Sequence, residues 1–343
     1  MEDIIFDLVE AFAVLGNESG AIDAVLRHCP ECVERHIDKN NNLILTISPG
    51  NHKKHIMLDA HLDQVGLIVT NVWQDGFLQV APCGGVDARV LPGSLVRIYS
   101  EDNKTFDGIV TSIPPHLSKE KGDEEFPKIS ELFVDTGLRA EELNLIKPGD
   151  FVGFTAKPLK LLNENIAAPG LDNRAGVAAV ICCLKILAEN IAKLKCKVSC
   201  LFSTGEEVTA VGAKTAAFSI SPDIAISVDT SFADQKNVPP NKCGKLSLGP
   251  MVGISPILSK EIASELVRIA KLNKIPYQNE IMPGKTGTNA DVISLSKCGI
   301  PTALLSIPLR YMHTPVEIIN MEDVKNTARL LACYILEGGA SND

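Results

Sequence analysis

The stretch Leu201 to Ala217, LFSTGEEVTAVGAKTAA, decides how the rest of the chain reads. An apolar run, Val198 to Phe202, has the character of a buried strand. Ser203-Thr204-Gly205 forms a turn, Glu206 and Glu207 follow as adjacent carboxylates, and a small-residue helix rich in Ala and Gly comes next. In an open α/β sheet, chemistry sits in the crevice beyond the carboxyl ends of the strands. Neighbouring side chains of an extended turn point to opposite sides. One glutamate can therefore face a metal while the other faces a substrate. The competing reading makes both of them first-turn acids of the helix, where the macrodipole favours negative charge. The stretch alone leaves both open.

The surrounding chain continues the α/β pattern. The helix from Val211 to Phe218 leads to a strand, Ile224 to Val228, that ends in Asp229. Upstream, Asp172 opens a long apolar helix reaching Glu189. Downstream come an amphipathic helix at Lys260 to Lys271, a strand at Ile275 to Ile281 and a Gly-rich loop at Pro283 to Gly287. A helix at Asp291 to Lys297, a strand at Thr302 to Ile307 and a last helix at Met321 to Leu336, capped by Asn320, complete the chain. Strands alternating with helices imply parallel βαβ units.

The N-terminal part is similar. Ile4, Ile5, Leu8, Phe12 and Leu15 have helical spacing over residues 2 to 15, and a second helix runs from Ala21 to Leu26. Leu43 to Ile47 and Ile56 to Ala60 read as strands, the second running into His61-Leu62-Asp63. Between Leu67 and Leu162 helical periodicity disappears. Short β-rich runs, Val96 to Tyr99, Gly108 to Ile113 and Phe151 to Thr155, alternate with turn signals such as Glu101-Asp102-Asn103 and Asp107-Gly108. Regularly spaced short strands suggest a small barrel or sandwich. Ser118 to Phe126 is charged and reads as an exposed loop. The α/β parts flank the β-rich part, which predicts an α/β domain of residues 1–66 and 163–343 interrupted by an inserted β domain at 67–162.

At 343 residues the chain has room for about two domains. A net charge of −9, with no local run of Lys and Arg, argues against nucleic-acid binding. The longest apolar run, Ala175 to Ala188, is broken by Lys185 and is too short to span a bilayer, so no membrane association is expected. The opening MEDIIFDLVEAF is acidic and amphipathic, unlike a secretory signal. Ten cysteines without framework spacing suit reduced thiols in a cytoplasm. Cys29 and Cys32 form a lone CxxC beside His28, which we read as ordinary thiols near a helix end.

Metal-capable residues gather at the ends of the expected strands. His61, Glu206, Glu207, Asp229 and His313 each follow or end a strand, and Asp172 starts a helix just past the β insert. Such a convergence is not coincidental, because buried carboxylates without partners are costly. Two histidines and three carboxylates suit a pair of divalent ions, zinc, cobalt or manganese. A carboxylate that is not a ligand then moves the proton of the activated water.

With these residues together, the sequence resembles the glutamyl aminopeptidase and tetrahedral aminopeptidase (TET) family of co-catalytic metallopeptidases in the MH clan, some of whose members were once labelled endoglucanases. The resemblance covers nearly the whole chain. It is carried by Asp59-Ala60-His61-Leu62-Asp63, Leu171-Asp172-Asn173-Arg174, Gly205-Glu206-Glu207-Val208, Val228-Asp229 and Arg310-Tyr311-Met312-His313. Gly84-Gly85-Val86-Asp87 and Pro114-Pro115-His116-Leu117 extend it into the β insert. It implies a three-layer αβα catalytic domain with a mixed sheet and a small barrel-like insert used for dimerisation. It implies two divalent metal ions per subunit, with His61 and His313 each binding one, Asp172 bridging, and Glu207 and Asp229 completing the two sites. Glu206 becomes the general base, and Asp63 the acid that orients His61 and fixes its tautomer. Short peptides are the implied substrate and a twelve-subunit tetrahedral homo-oligomer the implied assembly.

Some positions depart from the family pattern. Gln64 replaces a usual Glu, Thr209 and Ala210 replace Gly-Leu, and Asn289 replaces a usual Asp, with Asp291 two residues on. None is an expected ligand. An acid near the metals should also meet the peptide's amino terminus, and Asp234 is the sequence's candidate. The expected function is a metal-dependent aminopeptidase. A metal-dependent deacylase or amidase acting on a non-peptide amide and a non-catalytic metal-bound scaffold subunit are the alternatives.

Overall fold

Four parallel strands carry the chemistry-bearing residues: Lys197–Ser203, His55–His61, Ile224–Phe232 and Thr302–Arg310, side by side in that order. The computed structural model describes residues 1–50, 52–101, 104–117, 128–155 and 157–337. The expected loop at Ser118 to Phe126 lies outside the described residues, as do Asp102 and Asn103 of an expected turn. Among the described residues the four strands form the centre of an 11-stranded mixed sheet. Leu43–Ile47 and Glu34–Ile37 extend it antiparallel on one side. Glu317–Asn320, Asn165–Ala168 and Leu159–Lys160 extend it on the other. Met251–Ile254 pairs antiparallel with Thr302–Arg310 and carries Gln278–Ile281 parallel to itself.

The central strands are buried almost throughout, as strands covered on both faces must be. Alternate side chains go to opposite layers. Ile56, Leu58 and Ala60 pack with helices Glu2–Glu10, Ser19–His28, Leu171–Glu189, Lys260–Leu272 and Met321–Glu337. Met57 and Leu201 pack against Ala213, Ala216 and Ala217 of helix Val211–Ile220 and Ile293 of the short helix Ala290–Ile293. The result is three layers, αβα. No helix among the described residues is long and apolar enough to cross a membrane.

Six further strands close into a barrel in the order Gly66–Val72, Phe77–Cys83, Phe133–Asp135, Thr105–Val110, Leu95–Tyr99, Phe151–Phe154. Alternate residues such as Leu67, Val69, Leu78, Val80, Val96 and Ile98 fill its interior. The expected turn at Asp107-Gly108 is instead mid-strand. Asp107 pairs across to Arg97 at 2.7 Å, and a Cβ at Gly108 would come within 2.7 Å of Val134 Cγ1. Glycine here serves close packing rather than a turn.

Three other expectations shorten. The first helix ends at Glu10, not near residue 15, because Phe12 stacks on Tyr99 of the barrel and Val14 bridges to Gln64. Tertiary pairing overrides the helical spacing. The strand expected from Ile275 begins only at Gln278, after Lys274 in the left-handed region (φ 52°) and Pro276 without an N–H donor. The helix expected from Asp291 to Lys297 is Ala290–Ile293 alone.

Candidate metal centre

His61 is the last residue of its strand. Asp229 lies within Ile224–Phe232, on the strand beside it. Glu206 and Glu207 follow Lys197–Ser203 through Gly205, which takes a φ of +73°. The helix starts only at Val211, so neither glutamate is a first-turn acid and that reading fails. Asp172 and Asn173 have non-helical backbone angles, and the Asp172–Asn173 peptide is cis. The regular helix begins after them, where Asn173 Oδ1 accepts the N–H of Gly176 as an N-cap does. Asp172 is therefore in the approach to the helix, not in its first turn. His313 follows Thr302–Arg310 with a φ of 62°.

These side chains meet in two groups, His61 with Asp172 and Asp229, and His313 with Asp172 and Glu207, each with its donor atoms within 4.8 Å of one another. His61 Nε2 lies 3.3 Å from Asp172 Oδ1 and 3.5 Å from Asp229 Oδ1. His313 Nε2 lies 3.5 Å from Asp172 Oδ2 and 3.4 Å from Glu207 Oε2. Asp172 thus gives one oxygen to each group. Glu206 belongs to neither, with Oε2 4.0 Å from His61 Nε2.

The donors fit divalent cations. Tetrahedral bonds of about 2.0–2.2 Å put neighbouring donors about 3.3–3.6 Å apart. Buried Glu207 Oε1 has no hydrogen-bond partner. Both imidazoles also have their tautomers fixed. His61 Nδ1 donates to the Asp63 carbonyl at 3.0 Å and His313 Nδ1 to the Gly85 carbonyl at 2.9 Å. A carbonyl only accepts, so each Nδ1 carries a proton and Nε2 is the nitrogen left to face a cation held among the carboxylates. Gly85 comes from the barrel, and a Cβ there would lie 2.8 Å from His313 Nδ1.

Two buried carboxylates hold the backbone of the site. Asp63 accepts the N–H groups of both Glu206 and Glu207 at 3.1 Å. Its carboxylate was expected to orient His61, but it stands 3.7 Å from Nδ1, and its carbonyl makes that hydrogen bond instead. Glu317 accepts the N–H groups of Asp172 at 3.1 Å and His313 at 2.7 Å. The sequence reading missed Glu317. Its only signal was a lone acid four residues beyond His313, in a strand where acids are normally exposed.

Burial pushes the Glu206 carboxyl up to about 8, with His61 opposing and the neighbouring Asp229, Asp172 and Asp63 adding to it. Burial likewise raises Glu207 well above the usual range, reinforced by Asp172. For His61 burial pulls downward, yet Asp172, Asp229 and Asp63 outweigh it and raise the ring well above its ordinary value. Excess negative charge in a dry site calls for cations.

The departures lie around this centre. Asn289 is buried and donates to Ser203 Oγ at 2.9 Å, and Ser203 donates in turn to Asp59 at 2.7 Å. Asp291 does not take over a charge at the centre. It accepts from the N–H groups of Thr286 and Gly287 instead. Buried Gln64 has an unpartnered Oε1. Asp234 is engaged by Arg310 at 2.9 Å and is half-exposed, so it is not the free acid the sequence reading sought. The CxxC thiols, Cys29 and Cys32, belong to neither donor group.

The donors open into a cavity of about 450 Å³ whose further walls include Glu280, Met282, Leu304 and Ser306. A second cavity of about 480 Å³ adjoins it, sharing Phe232 and Met312 and reaching Asp87 and Arg89 of the barrel.

Comparison with known proteins assigns the class. Fold and sequence together make the chain a hydrolase, a peptidase of the aminopeptidase type. Residues 41–330 match the M42 glutamyl aminopeptidase family, and the chain belongs to that family. It is 32% identical to the lysyl aminopeptidase of Pyrococcus furiosus, over 98% of this chain and 96% of that protein. The structure is similar to the aminopeptidase APDkam598 of the archaeon Desulfurococcus kamchatkensis, with a TM-score of 0.90, 32% identity and coverage of 98% and 94% of the two chains. It is also similar to the Pyrococcus horikoshii TET1 peptidase, which can assemble into a tetrahedron or a large octahedral shell, with a TM-score of 0.85, 28% identity and coverage of 97% and 98%.

Proposed function

We propose that this chain is a dinuclear metal-dependent aminopeptidase that removes N-terminal residues from short peptides, with Glu206 as its general base. The observation that carries this is the sharing of Asp172 between two donor groups, with Glu206 beside them and in neither. His61 and Asp229 would hold one ion and Glu207 and His313 the other, with Asp172 contributing an oxygen to each group. Zinc or cobalt suits this donor set best, with manganese as a third candidate. Bound divalent cations supply Lewis acidity to the scissile carbonyl. Glu206 accepts the proton of the attacking water and passes it to the leaving amine. Asp63 acts by holding the Glu206 and Glu207 backbone and, through its carbonyl, the His61 tautomer.

We divide the chain into the two units expected at residues 1–66 with 163–343, and 67–162, with the bounds moved slightly, since Gly66 already pairs in the barrel and Leu159–Lys160 pairs in the large sheet. We assign the barrel to dimerisation, which its exposed Leu95, Ile109, Ile113 and Leu117 support. A tetrahedral twelve-subunit homo-oligomer is the assembly we propose, by likeness to the Pyrococcus horikoshii TET1 peptidase. Ten free cysteines suit a reducing compartment, and we assign the enzyme to the cytoplasm.

The test is a panel of short peptides, each with a free or an acetylated N-terminus, offered to protein loaded with zinc or cobalt. Stepwise cleavage of the free-amine peptides alone is the expected result. Failure to cleave either set, with metal bound, would turn the assignment toward a deacylase or a non-catalytic scaffold.

A further inference from the structure

The cavity beyond the metal donors holds one more acid that neither donor group nor the proton transfer uses. Glu280 lies in strand Gln278–Ile281, beside Gly253 in register. A Cβ at Gly253 would come within 3.0 Å of Leu304 and 3.1 Å of Met282, both cavity walls. Glycine there lets these two apolar side chains pack close against the sheet beside Glu280. The Glu280 carboxylate is hydrogen-bonded by the hydroxyls of Ser231 and Ser306, the latter at 2.7 Å. Ser306 is the register partner of Asp229, and Ser231 lies two residues beyond Asp229. Glu280 is thereby fixed on the same face as the metal donors, a short step from them.

Two hydroxyl donors leave a carboxylate with unused acceptor capacity, since it offers about four lone-pair sites. No Lys or Arg lines the cavity or pairs with Glu280 among the described residues. Met282 and Leu304 supply an apolar wall beside it. An apolar wall with a lone acid is the complement of a lysine or arginine side chain, whose methylene stem packs while its charged end is paired.

We propose that Glu280 receives the side-chain cation of the peptide's first residue and makes this aminopeptidase selective for N-terminal Lys and Arg. This rests on the aminopeptidase reading above and adds the substrate class. The acid selects by charge, because a neutral or acidic side chain leaves its remaining acceptor capacity and its charge uncompensated.

The test compares 4-nitroanilides of Lys, Arg, Leu, Ala and Glu on the zinc- or cobalt-loaded enzyme and on E280Q and E280K. The wild-type enzyme is expected to favour Lys and Arg over Leu by about tenfold or more in kcat/KM. In E280Q the lysyl-to-leucyl ratio falls by at least about tenfold, chiefly through KM, and E280K shifts preference toward Glu. Bound metal and Tm of each variant are measured alongside. A wild-type enzyme that cleaves Leu or Ala as well as Lys overturns the proposal while leaving the aminopeptidase reading intact. An equal loss of E280Q on every substrate also overturns it, and would assign Glu280 to the α-amine or to the fold. If nothing is cleaved, the aminopeptidase reading fails, and binding decides the proposal. A Tm rise with lysinamide but not leucinamide, lost in E280Q, sustains the cation site, and no such difference ends it.

Discussion

The carboxylate of Asp63 accepts the backbone N–H groups of Glu206 and Glu207, each at 3.1 Å. A single buried acid thereby fixes the peptide segment bearing the proposed base and one proposed ligand. In Asp63→Asn the amide can accept from one N–H only, and its NH₂ opposes the other. Metal affinity or activity should fall about 10- to 100-fold with the fold retained. Metal titration and kcat on one peptide check this. Wild-type values for both would show that the clamp is dispensable.

Glu317 plays the same part for Asp172 and His313, accepting their N–H groups at 3.1 and 2.7 Å. Glu317→Gln should weaken metal binding by about 10- to 100-fold, because a ligand's orientation is set by its supports. A chelator competition series reads the affinity. Unchanged metal affinity would reduce Glu317 to a buried structural acid.

Glu206 stands outside both donor groups. Glu206→Gln should bind metal as the wild type does and lose about 10²- to 10⁴-fold in kcat. Metal content and peptide hydrolysis are measured on one preparation. Full activity would remove Glu206 from the mechanism.

Gly85 brings the barrel against the metal centre. In Gly85→Ala the new Cβ would meet His313 Nδ1 at 2.8 Å, on the side where the Gly85 carbonyl holds that nitrogen. The ring must shift, so metal affinity should fall about 10-fold or more with little change in Tm. A large Tm loss with unchanged metal affinity would contradict this.

Asp323 supplies a pH test away from the centre. It accepts the N–H groups of Ser247 and Gly249, both at 2.7 Å. Burial pushes its carboxyl up to about 6, against those hydrogen bonds, from an ordinary 3.8. The native state then binds the proton more tightly than the unfolded chain. Its contribution to stability is full below pH 3.8 and declines as pH rises through 6, by no more than about 3 kcal/mol. Urea midpoints from pH 4.5 to 7 should fall with pH more steeply for the wild type than for Asp323→Asn. Parallel curves would refute the assignment.

Much of the site was legible because its residues lie where strand signals end. His61, Asp229 and the pair Glu206 and Glu207 follow apolar runs, and the parallel sheet brings such ends to one edge. Helical spacing misled at Phe12, which leaves the first helix to stack on Tyr99 at a ring separation of 3.5 Å. The Asp107-Gly108 signal misled because glycine serves close packing as well as turns. Glu317 and Glu280 carried at most a lone acid in a strand, ordinarily a solvent-facing one.

The sequence by itself determined the alternation of α/β and β-rich segments and the residue types able to hold metal, because hydrophobic periodicity and donor chemistry are local properties. Only the tertiary structure decided that Asp172 faces both donor groups, that the Asp63 carbonyl rather than its carboxylate meets His61, and that Glu280 borders the same cavity. The first and third join residues far apart in the chain, and the second depends on how the turn after the His61 strand is held; packing and register, which local pattern does not encode, set all three.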